Sequence, residues 1–470
     1  MRCDTIILCL AALAEATITF EDPSDELPPS YWTADNAILA DYQDASTALY
    51  EFIAITGPYL YDAEDGNITR ASLYENANDT SVLVVANSSE VYLSHSTITK
   101  LGYSSDLTQA AFFGVNAAIN IANTSTLHAS HVNVTTHNGA ANIYTYGTDS
   151  YAYVDHAWLY SSGPNAHGLY AAGNGTVYAS NVKHYSGGNR ASSFSGDSPA
   201  GYVHVSNSIA HTDGIGSAVC YALGLCNLTN VIGHASNAPV TFSDGVQTTL
   251  YTDSDVTAGL LAGVVLFSSS TRESGAEVTF TNSRLTVLGS DMPAIWFGNI
   301  IGTASFVSSV ANNSASGILA IANMSQVTQD FDYFAGYEQN SAIEPAILTL
   351  ELEDSVVSGD LVAYNGSAIN AVLNDYAHWT GTAYDGYNST TSIDNVTLTA
   401  PTFSVTLAAT ANWTLTANTS LANFTDADST VSNVISQGYW IFYDASSSAN
   451  AAWDSQTVSL NGGGYLAPAS

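Results

Sequence analysis

The sequence predicts an all-β protein, a single-stranded right-handed parallel β-helix with capped ends. The main observation is a two-residue signature that recurs about every 25 residues. Its copies are Ser130-His131, Asp155-His156, Ser180-Asn181, Ser206-Asn207, Thr229-Asn230 and Thr281-Asn282. The steps between the second members of the first five copies are 25, 25, 26 and 23 residues. A fixed period of this size on strand-forming residues is typical of stacked coils, and crossovers between parallel strands are generally right-handed.

Alternating apolar residues precede each signature pair and predict a strand with one buried face. One apolar column contains Leu127, Ala152, Val177, Val203, Cys226 and Val278, and the column two positions on contains Ala129, Val154, Ala179, Val205, Leu228 and Phe280. The residues between these columns must point outward. Asn227 and Asn133 both begin N-x-[ST] sequons and both fall on the predicted outward side, which supports this register.

The outward position carries one aromatic ring per coil. Stacked strands would place Tyr92, His128, Tyr153, Tyr178 and His204 in a row at intervals of about 4.8 Å. Such a row predicts a ligand-binding ledge, on which the apolar faces of an extended sugar chain stack while its hydroxyls bond to nearby Asn, Ser and Thr. The alternative is that aromatic residues are here because they favour strands and stack across them.

The second signature position predicts a structural column in a tight turn. It contains His131, His156, Asn181, Asn207, Asn230 and Asn282, with His95 preceding them. Stacked side chains in such turns hydrogen-bond to each other and to the turn backbone. Metal ligation is the alternative interpretation of the histidines. No convergent carboxylates accompany them, so we expect no metal site there.

Charge restricts the expected partners. The formal net charge is −35, from 42 Asp and Glu against seven Lys and Arg. Nucleic acids and anionic membranes bind basic patches, so neither is an expected partner. A polyanionic substrate is disfavoured unless Ca²⁺ bridges the like charges. Asp253-Ser254-Asp255 and Asp426-Ala427-Asp428 could hold Ca²⁺, although a lone Asp-x-Asp pair is a weak pattern. No other cofactor is expected.

The N-terminus has the pattern of an export signal over residues 1–16. Arg2 precedes an apolar run from Thr5 to Ala14 that ends in the small-x-small pattern Ala12-Leu13-Ala14. No other apolar stretch is long enough to span a bilayer. We therefore expect a secreted protein, extracellular or associated with a cell wall.

Many N-glycosylation sequons support secretion. They begin at Asn67, Asn78, Asn87, Asn123, Asn133, Asn174, Asn227, Asn312, Asn323, Asn365, Asn388, Asn395, Asn412, Asn418 and Asn423. Their number favours a eukaryotic secretory pathway, although a chain rich in Asn and Thr also generates sequons by chance. Cys220 and Cys226 remain after signal removal, and an even pair in an oxidising compartment predicts a disulfide. Two buried free thiols are the alternative.

Catalytic patterns are weak. Of the motifs typical of polygalacturonases, only Ala166-His167-Gly168 is present. His137, His167 and Arg190 each lie in the turn after a signature strand, so successive coils would bring them together, with Asp197 nearby. A cationic cluster in so acidic a protein is the one candidate acid–base site. The competing interpretation, which we favour, is that turn residues vary freely.

The period also predicts the organisation. Residues 17–80 break it and are expected to cap the first coil, because an open end would expose unpaired strand edges. Regular coils are expected over residues 81–330. Less regular coils and an aromatic C-terminal cap, around Tyr439-Trp440-Ile441-Phe442-Tyr443, are expected over residues 331–470.

Six segments of low complexity stand out from about residue 81 onward: 165–171, 197–200, 291–295, 414–416, 443–450 and 460–464. Through these segments the chain resembles secreted, adhesin-like β-helix repeat proteins. The resemblance implies a right-handed parallel β-helix and an extracellular role, and it carries over no catalytic residue.

Two functional hypotheses follow from the sequence. The first is a non-catalytic surface or matrix glycoprotein that binds polysaccharide or another surface. The second is a polysaccharide lyase or glycoside hydrolase, for which the fold analogy is only associational. The sequence favours the first without deciding whether the protein is an enzyme.

Overall fold

The protein is a parallel β-solenoid, which confirms the predicted β-helix. The computed structural model describes residues 54–137, 139, 141–269, 271–312, 317–324, 343–387 and 399–469. Residues 1–16, where the sequence predicts the export signal, and the sequons at Asn388 and Asn395 lie outside these ranges. Among the helices of the described ranges, none has the length and apolar character needed to cross a bilayer.

Thirteen successive coils of the described residues each contribute one short strand to a parallel sheet, here called sheet A. Its strands are Tyr59–Asp62, Leu83–Ala86, Ile119–Ala122, Ile143–Tyr146, Leu169–Ala172, Phe194–Gly196, Cys220–Tyr221, Thr241–Asp244, Val264–Phe267, Ile295–Gly298, Ile318–Asn323, Asp360–Ala363 and Ala383–Asp385. Short parallel strands joined only through the rest of the coil are what a solenoid requires, because parallel neighbours cannot be connected by a tight hairpin.

The rest of each coil forms sheet B, which has two arms. In five central coils one bent strand runs through both arms: Thr126–Thr136, Tyr151–Ser161, Thr176–Ser186, Gly201–Thr212 and Gly224–Ala235. The other first-arm strands are Gly66–Thr69, Glu90–Ser94, Gln247–Thr252, Glu273–Thr281, Ile300–Val307, Ile347–Glu353, Ala368–Leu373, Thr402–Leu407 and Asn423–Asp426. The other second-arm strands are Ser72–Glu75, Thr97–Lys100, Asp255–Ala258, Arg284–Val287, Val310–Asn312, Val356–Ser358, His378–Thr380, Asn412–Thr414 and Val434–Ile435.

Outside these two sheets the described residues form turns, loops and a few further regular elements. One α-helix, Leu107–Phe113, is inserted between two coils and accounts for the break in period there. Near the C-terminus a four-stranded sheet contains Thr419–Leu421, Ile441–Tyr443, Val458–Ser459 and Tyr465–Pro468, with a 3₁₀ helix at Ser448–Trp453. At the other end, strands from residues 59–75, inside the segment predicted as a cap, already pair in parallel with the next coil.

The two arms of sheet B meet at the second signature position, which has a left-handed backbone. The φ angles are 53° at His131, 56° at Asn181 and 50° at Asn207. Asparagine tolerates this conformation better than other residues with a Cβ, and β-branched residues hardly adopt it. The recurring Asn or His therefore marks the bend of each coil.

This bend gives a stability prediction. Asn207→Val is expected to lower the free energy of unfolding by about 2 kcal/mol relative to Asn207→Gly, because valine adopts positive φ at high cost and glycine does not. Urea unfolding of both variants, followed by circular dichroism, measures the difference. Equal stabilities would contradict this account of the signature.

A second column, of buried serines, lies directly after the bend. Ser208 Oγ accepts a hydrogen bond from the Val182 backbone N–H (3.0 Å) and donates to the carbonyl oxygen of Ser206 (2.7 Å). Ser254, Ser283 and Ser309 accept backbone N–H groups of the neighbouring coil in the same way. These hydroxyls satisfy backbone donors that the bend removes from the strand ladder.

The core contains the predicted apolar columns. Leu127, Ala152, Val177 and Val203 are fully buried and in register from coil to coil. Later coils stack aromatic rings internally: the ring centroids of Trp379 and Trp413 are 4.8 Å apart, with planes 8° from parallel. The solenoid therefore has one continuous core along its axis.

Candidate functional site

The outward rings of sheet B form a single column. Parallel pairing places Tyr92 beside His128, His128 beside Tyr153, Tyr153 beside Tyr178, and Tyr178 beside His204. We call these five residues the aromatic column. Successive ring centroids are 4.6, 5.1, 5.4 and 4.8 Å apart, and the planes of successive rings differ by 8 to 14°.

The distances between ring centroids determine which parts of the rings face solvent. Parallel rings with centroids this close must overlap face to face with an offset, because coplanar rings would interpenetrate. The column therefore presents ring rims and tyrosine hydroxyls to solvent, rather than the row of open ring faces expected from the sequence. The hydroxyls of Tyr153 and Tyr178 bond to no other group in the described part of the chain, so they are available to a ligand.

A polar row runs beside the aromatic column, two residues further along each strand. It consists of Ser94, Ser130, Asp155, Ser180, Ser206 and Thr229. Side chains two apart share a face of the strand, so the row and the column line the same surface. Together they line an open groove of about 730 Å³ that follows the solenoid axis.

Two carboxylates give the groove a negative character. Asp155 accepts hydrogen bonds from Ser180 Oγ (2.6 Å) and Asn181 Nδ2 (2.9 Å), and its Oδ2 lies 2.7 Å from His156 Nδ1. The bonds from Ser180 and Asn181 lower the pKa of Asp155 to about 2. Asp155 is therefore ionised at any physiological pH.

Glu90 is the second carboxylate, at the end of the groove near Tyr92. Its Oε1 accepts a hydrogen bond from the Tyr92 hydroxyl (2.8 Å) and lies 3.0 Å from His128 Nε2. The bond to Glu90 raises the pKa of Tyr92. At the other end, burial lowers the pKa of His204, which keeps that imidazole neutral near pH 7.

The predicted turn column lies at the surface along the groove. The rings of His95, His131 and His156 stack at centroid distances of 5.0 and 4.8 Å. Further along, Asn230 Nδ2 donates to Asn207 Oδ1 (2.8 Å), and Asn282 donates to Asp253. Within the described residues, no group of three or more His, Cys, Asp or Glu has an arrangement that could hold a metal ion.

A separate, partly open cavity brings together three of the four catalytic candidates. His167, Arg190 and Asp197 line a cavity of about 90 Å³ beside sheet A, with aromatic residues that include Tyr170 and Phe242. The Tyr170 hydroxyl donates a hydrogen bond to Asp197 Oδ2 (2.6 Å), and the Ser198 backbone N–H donates to Oδ1 (2.6 Å). The fourth candidate, His137, is elsewhere: its Nδ1 lies 2.6 Å from Ser162 Oγ.

Burial determines the protonation states of Asp197 and His167 in this cavity. Desolvation raises the pKa of Asp197 to about 6, and it lowers the pKa of His167 to about 3. His167 Nδ1 accepts the Ser192 backbone N–H (3.1 Å) and lies 2.9 Å from Ser195 Oγ. His167 is thus a neutral imidazole with Nδ1 already occupied by protein groups.

The remaining residues predicted from the sequence are the two cysteines, the two Asp-x-Asp pairs and the sequon asparagines. Cys220 and Cys226 are both buried and joined as a disulfide. In the two Asp-x-Asp pairs, Asp255 lies 3.6 Å from Arg284, and Asp428 accepts hydrogen bonds from Thr430 and Ser432. Every sequon asparagine in the described ranges is exposed or half-buried.

The fold and the groove together define a parallel β-solenoid with an elongated, acidic surface site. Comparison with protein-family models, with curated proteins and with solved structures finds no match.

Proposed function

We propose that this protein is a secreted, non-catalytic glycoprotein of the cell surface or matrix that binds neutral glycan chains in the groove of sheet B. The observation that carries the proposal is the pairing of the aromatic column with a polar row over five consecutive coils. An extended ligand with apolar and hydroxyl-bearing surfaces matches such a site, because ligand sites combine apolar walls with a few placed polar groups.

The charges support a neutral ligand. Asp155 and Glu90 would repel an acidic polysaccharide, as would the net charge of −35. The polar row supplies hydroxyls that both donate and accept hydrogen bonds, which suits the hydroxyls of a neutral sugar. Secretion and glycosylation are part of the proposal because the sequons that the structure describes are all accessible or half-accessible.

The cavity near Asp197 gives less support to a polysaccharide lyase or glycoside hydrolase. Its volume of about 90 Å³ is far below the roughly 300 Å³ at which ligand pockets begin. His167 is neutral and bonded to the protein through Nδ1, so His167 itself is a poor general acid.

The proposal predicts that binding depends on two tyrosines. Tyr153→Ala combined with Tyr178→Ala is expected to weaken binding of a neutral glycan by at least about 30-fold, because truncating a binding hot spot costs about 2 kcal/mol or more. Isothermal titration with the preferred glycan measures the loss. The matched control is Tyr74→Ala with Tyr384→Ala, since Tyr384 and Tyr153 are both 40% exposed and Tyr384 lies outside the groove. Unchanged affinity in the first variant would refute the site.

A further inference from the structure

The aromatic column meets a sequon asparagine at each end. Asn67 pairs with Tyr92 across one coil, and Asn227 pairs with His204 at the opposite end. Both asparagines line the groove, together with the threonines of their sequons. Asn and Thr two residues apart on a strand share one face, so each complete acceptor site is directed to the groove.

The end rings differ from the interior rings. His128, Tyr153 and Tyr178 each stack between two neighbours, whereas Tyr92 and His204 have one stacking partner each among the described residues. The outer face of each end ring is therefore directed toward the coil that carries the sequon asparagine, about 4.8 Å away. An open aromatic face at this distance can pack against the apolar face of the first sugar of an N-glycan.

The side-chain amides at the two ends can carry a glycan without losing a hydrogen bond. Asn67 uses only its Oδ1, which accepts from Thr69 Oγ1 (3.1 Å), and neither Asn67 nor Asn227 donates through Nδ2 to any described group. By contrast, Asn123 Nδ2 donates to Asn87 Oδ1 (3.0 Å), and Asn87 Nδ2 donates to Asp62 (2.5 Å). A glycan on either of those amide nitrogens would compete with an existing contact.

We propose that N-glycans on Asn67 and Asn227 cover the outer faces of Tyr92 and His204 and close both ends of the groove. Four coil spacings, about 20 Å, separate the two end rings. A groove closed at both ends admits a short oligosaccharide or a chain terminus and excludes the middle of a long polymer. The length limit rests on the proposed function, whereas the two modifications do not.

The modifications are tested without any added ligand. The protein is expressed in a host that adds N-glycans, beside the variant Asn67→Gln with Asn227→Gln, and site occupancy is read by peptide mass spectrometry. Hydroxyl-radical footprinting then compares oxidation of Tyr92 and His204, with Tyr153 as an internal reference. We expect both sites to be occupied and oxidation of the end rings to be suppressed in the glycosylated protein only. An unoccupied site, or equal oxidation of both forms, overturns the proposal.

A matched control separates the glycan from the side chain that carries it. Thr69→Ser with Thr229→Ser keeps both sequons and both hydroxyls, so this variant should retain the glycans and the suppressed oxidation. Loss of suppression despite full occupancy would show that the glycans by themselves do not cover the rings, and it would overturn the proposal.

Binding measurements with long and short glycans distinguish a failure of this proposal from a failure of the proposed function. Removing both glycans should raise the affinity for a long neutral glycan about tenfold, which corresponds to about 1.4 kcal/mol, and leave a short oligomer of the same sugar unaffected. If the protein with both glycans and the protein without them bind the long chain with equal affinity, the length limit is overturned. If neither form binds any glycan, the proposed function fails, and footprinting still decides whether the glycans cover the end rings.

Discussion

Replacing Trp413 by alanine is expected to lower the free energy of unfolding of the C-terminal coils by about 5 kcal/mol. The indole is fully buried, stacks on Trp379 at 4.8 Å, and donates Nε1–H to the carbonyl oxygen of Gly381 (3.0 Å). Trp→Ala in a core costs about 3–5 kcal/mol, and an unsatisfied buried carbonyl adds about 1 kcal/mol or more. Urea unfolding followed by circular dichroism measures the loss.

Two further variants show how much of the expected loss in unfolding free energy comes from the indole hydrogen bond and how much from burial of the ring. Trp413→Phe keeps a stacked ring and loses the indole hydrogen bond, so about 2 kcal/mol of destabilisation is expected. Trp440→Ala removes an indole that is 36% exposed, and about 1 kcal/mol is expected because only its surface contacts with Phe442 and Tyr465 are lost. Coils stabilise their neighbours, so hydrogen exchange should accelerate mainly around the altered coil. Similar losses for Trp413→Ala and Trp440→Ala would contradict a continuous axial core.

The second large effect is a pH dependence caused by Asp197. Its pKa is about 6 in the folded protein, where desolvation disfavours the carboxylate, against an ordinary value of 3.8. Because the folded state binds this proton more tightly than the unfolded state, the stabilisation is complete below about pH 3.8 and is lost as the pH rises through 6. The shift corresponds to about 3 kcal/mol.

Asp197→Asn removes this titration. The variant should match the wild-type protein near pH 3.5 and be more stable by up to about 3 kcal/mol at pH 7.5. The other titrating groups are the same in both proteins, so the difference between the two stability–pH curves gives the contribution of Asp197 alone. Asp255→Asn, at an exposed position, is the control for the loss of one negative charge. If the stability difference between Asp197→Asn and the wild-type protein is the same at pH 3.5 and pH 7.5, the ionised Asp197 carboxylate does not destabilise the folded protein, and this account is contradicted.

The register could be predicted from the sequence because a period of two fixes which face each side chain takes. The apolar columns through Leu127 and Ala129 and the Asn or His at each bend were sufficient to place Tyr153 beside His128 and Tyr178. The offset of the rings was not predictable, because it depends on side-chain torsions that the strand period leaves open. The offset changes the expected contact from ring faces to ring rims, hydroxyls and the two end faces.

The cavity near Asp197 shows another limit of sequence analysis. Turn positions predicted that His137, His167 and Arg190 lie together with Asp197 nearby, whereas the cavity is lined by His167, Arg190 and Asp197 without His137. Turn positions also gave no indication that aromatic residues of sheet A enclose the cavity. Phe242 is far from Asp197 in sequence and reaches the cavity only because parallel coils bring their strands side by side. The serine column was missed as well, since a serine after each bend has no distinctive spacing in a chain rich in serine.

The central claim, a non-catalytic glycan-binding groove, is tested most directly by incubating the purified protein with a panel of neutral and acidic polysaccharides and oligosaccharides. Pull-down, release of reducing ends and absorbance of unsaturated products are recorded on the same samples. We expect binding of neutral glycans with no new reducing ends and no unsaturated products. New ends or unsaturated products would make the protein an enzyme and direct attention to Asp197, His167 and Arg190, and the absence of binding to every glycan would contradict the groove as a glycan site.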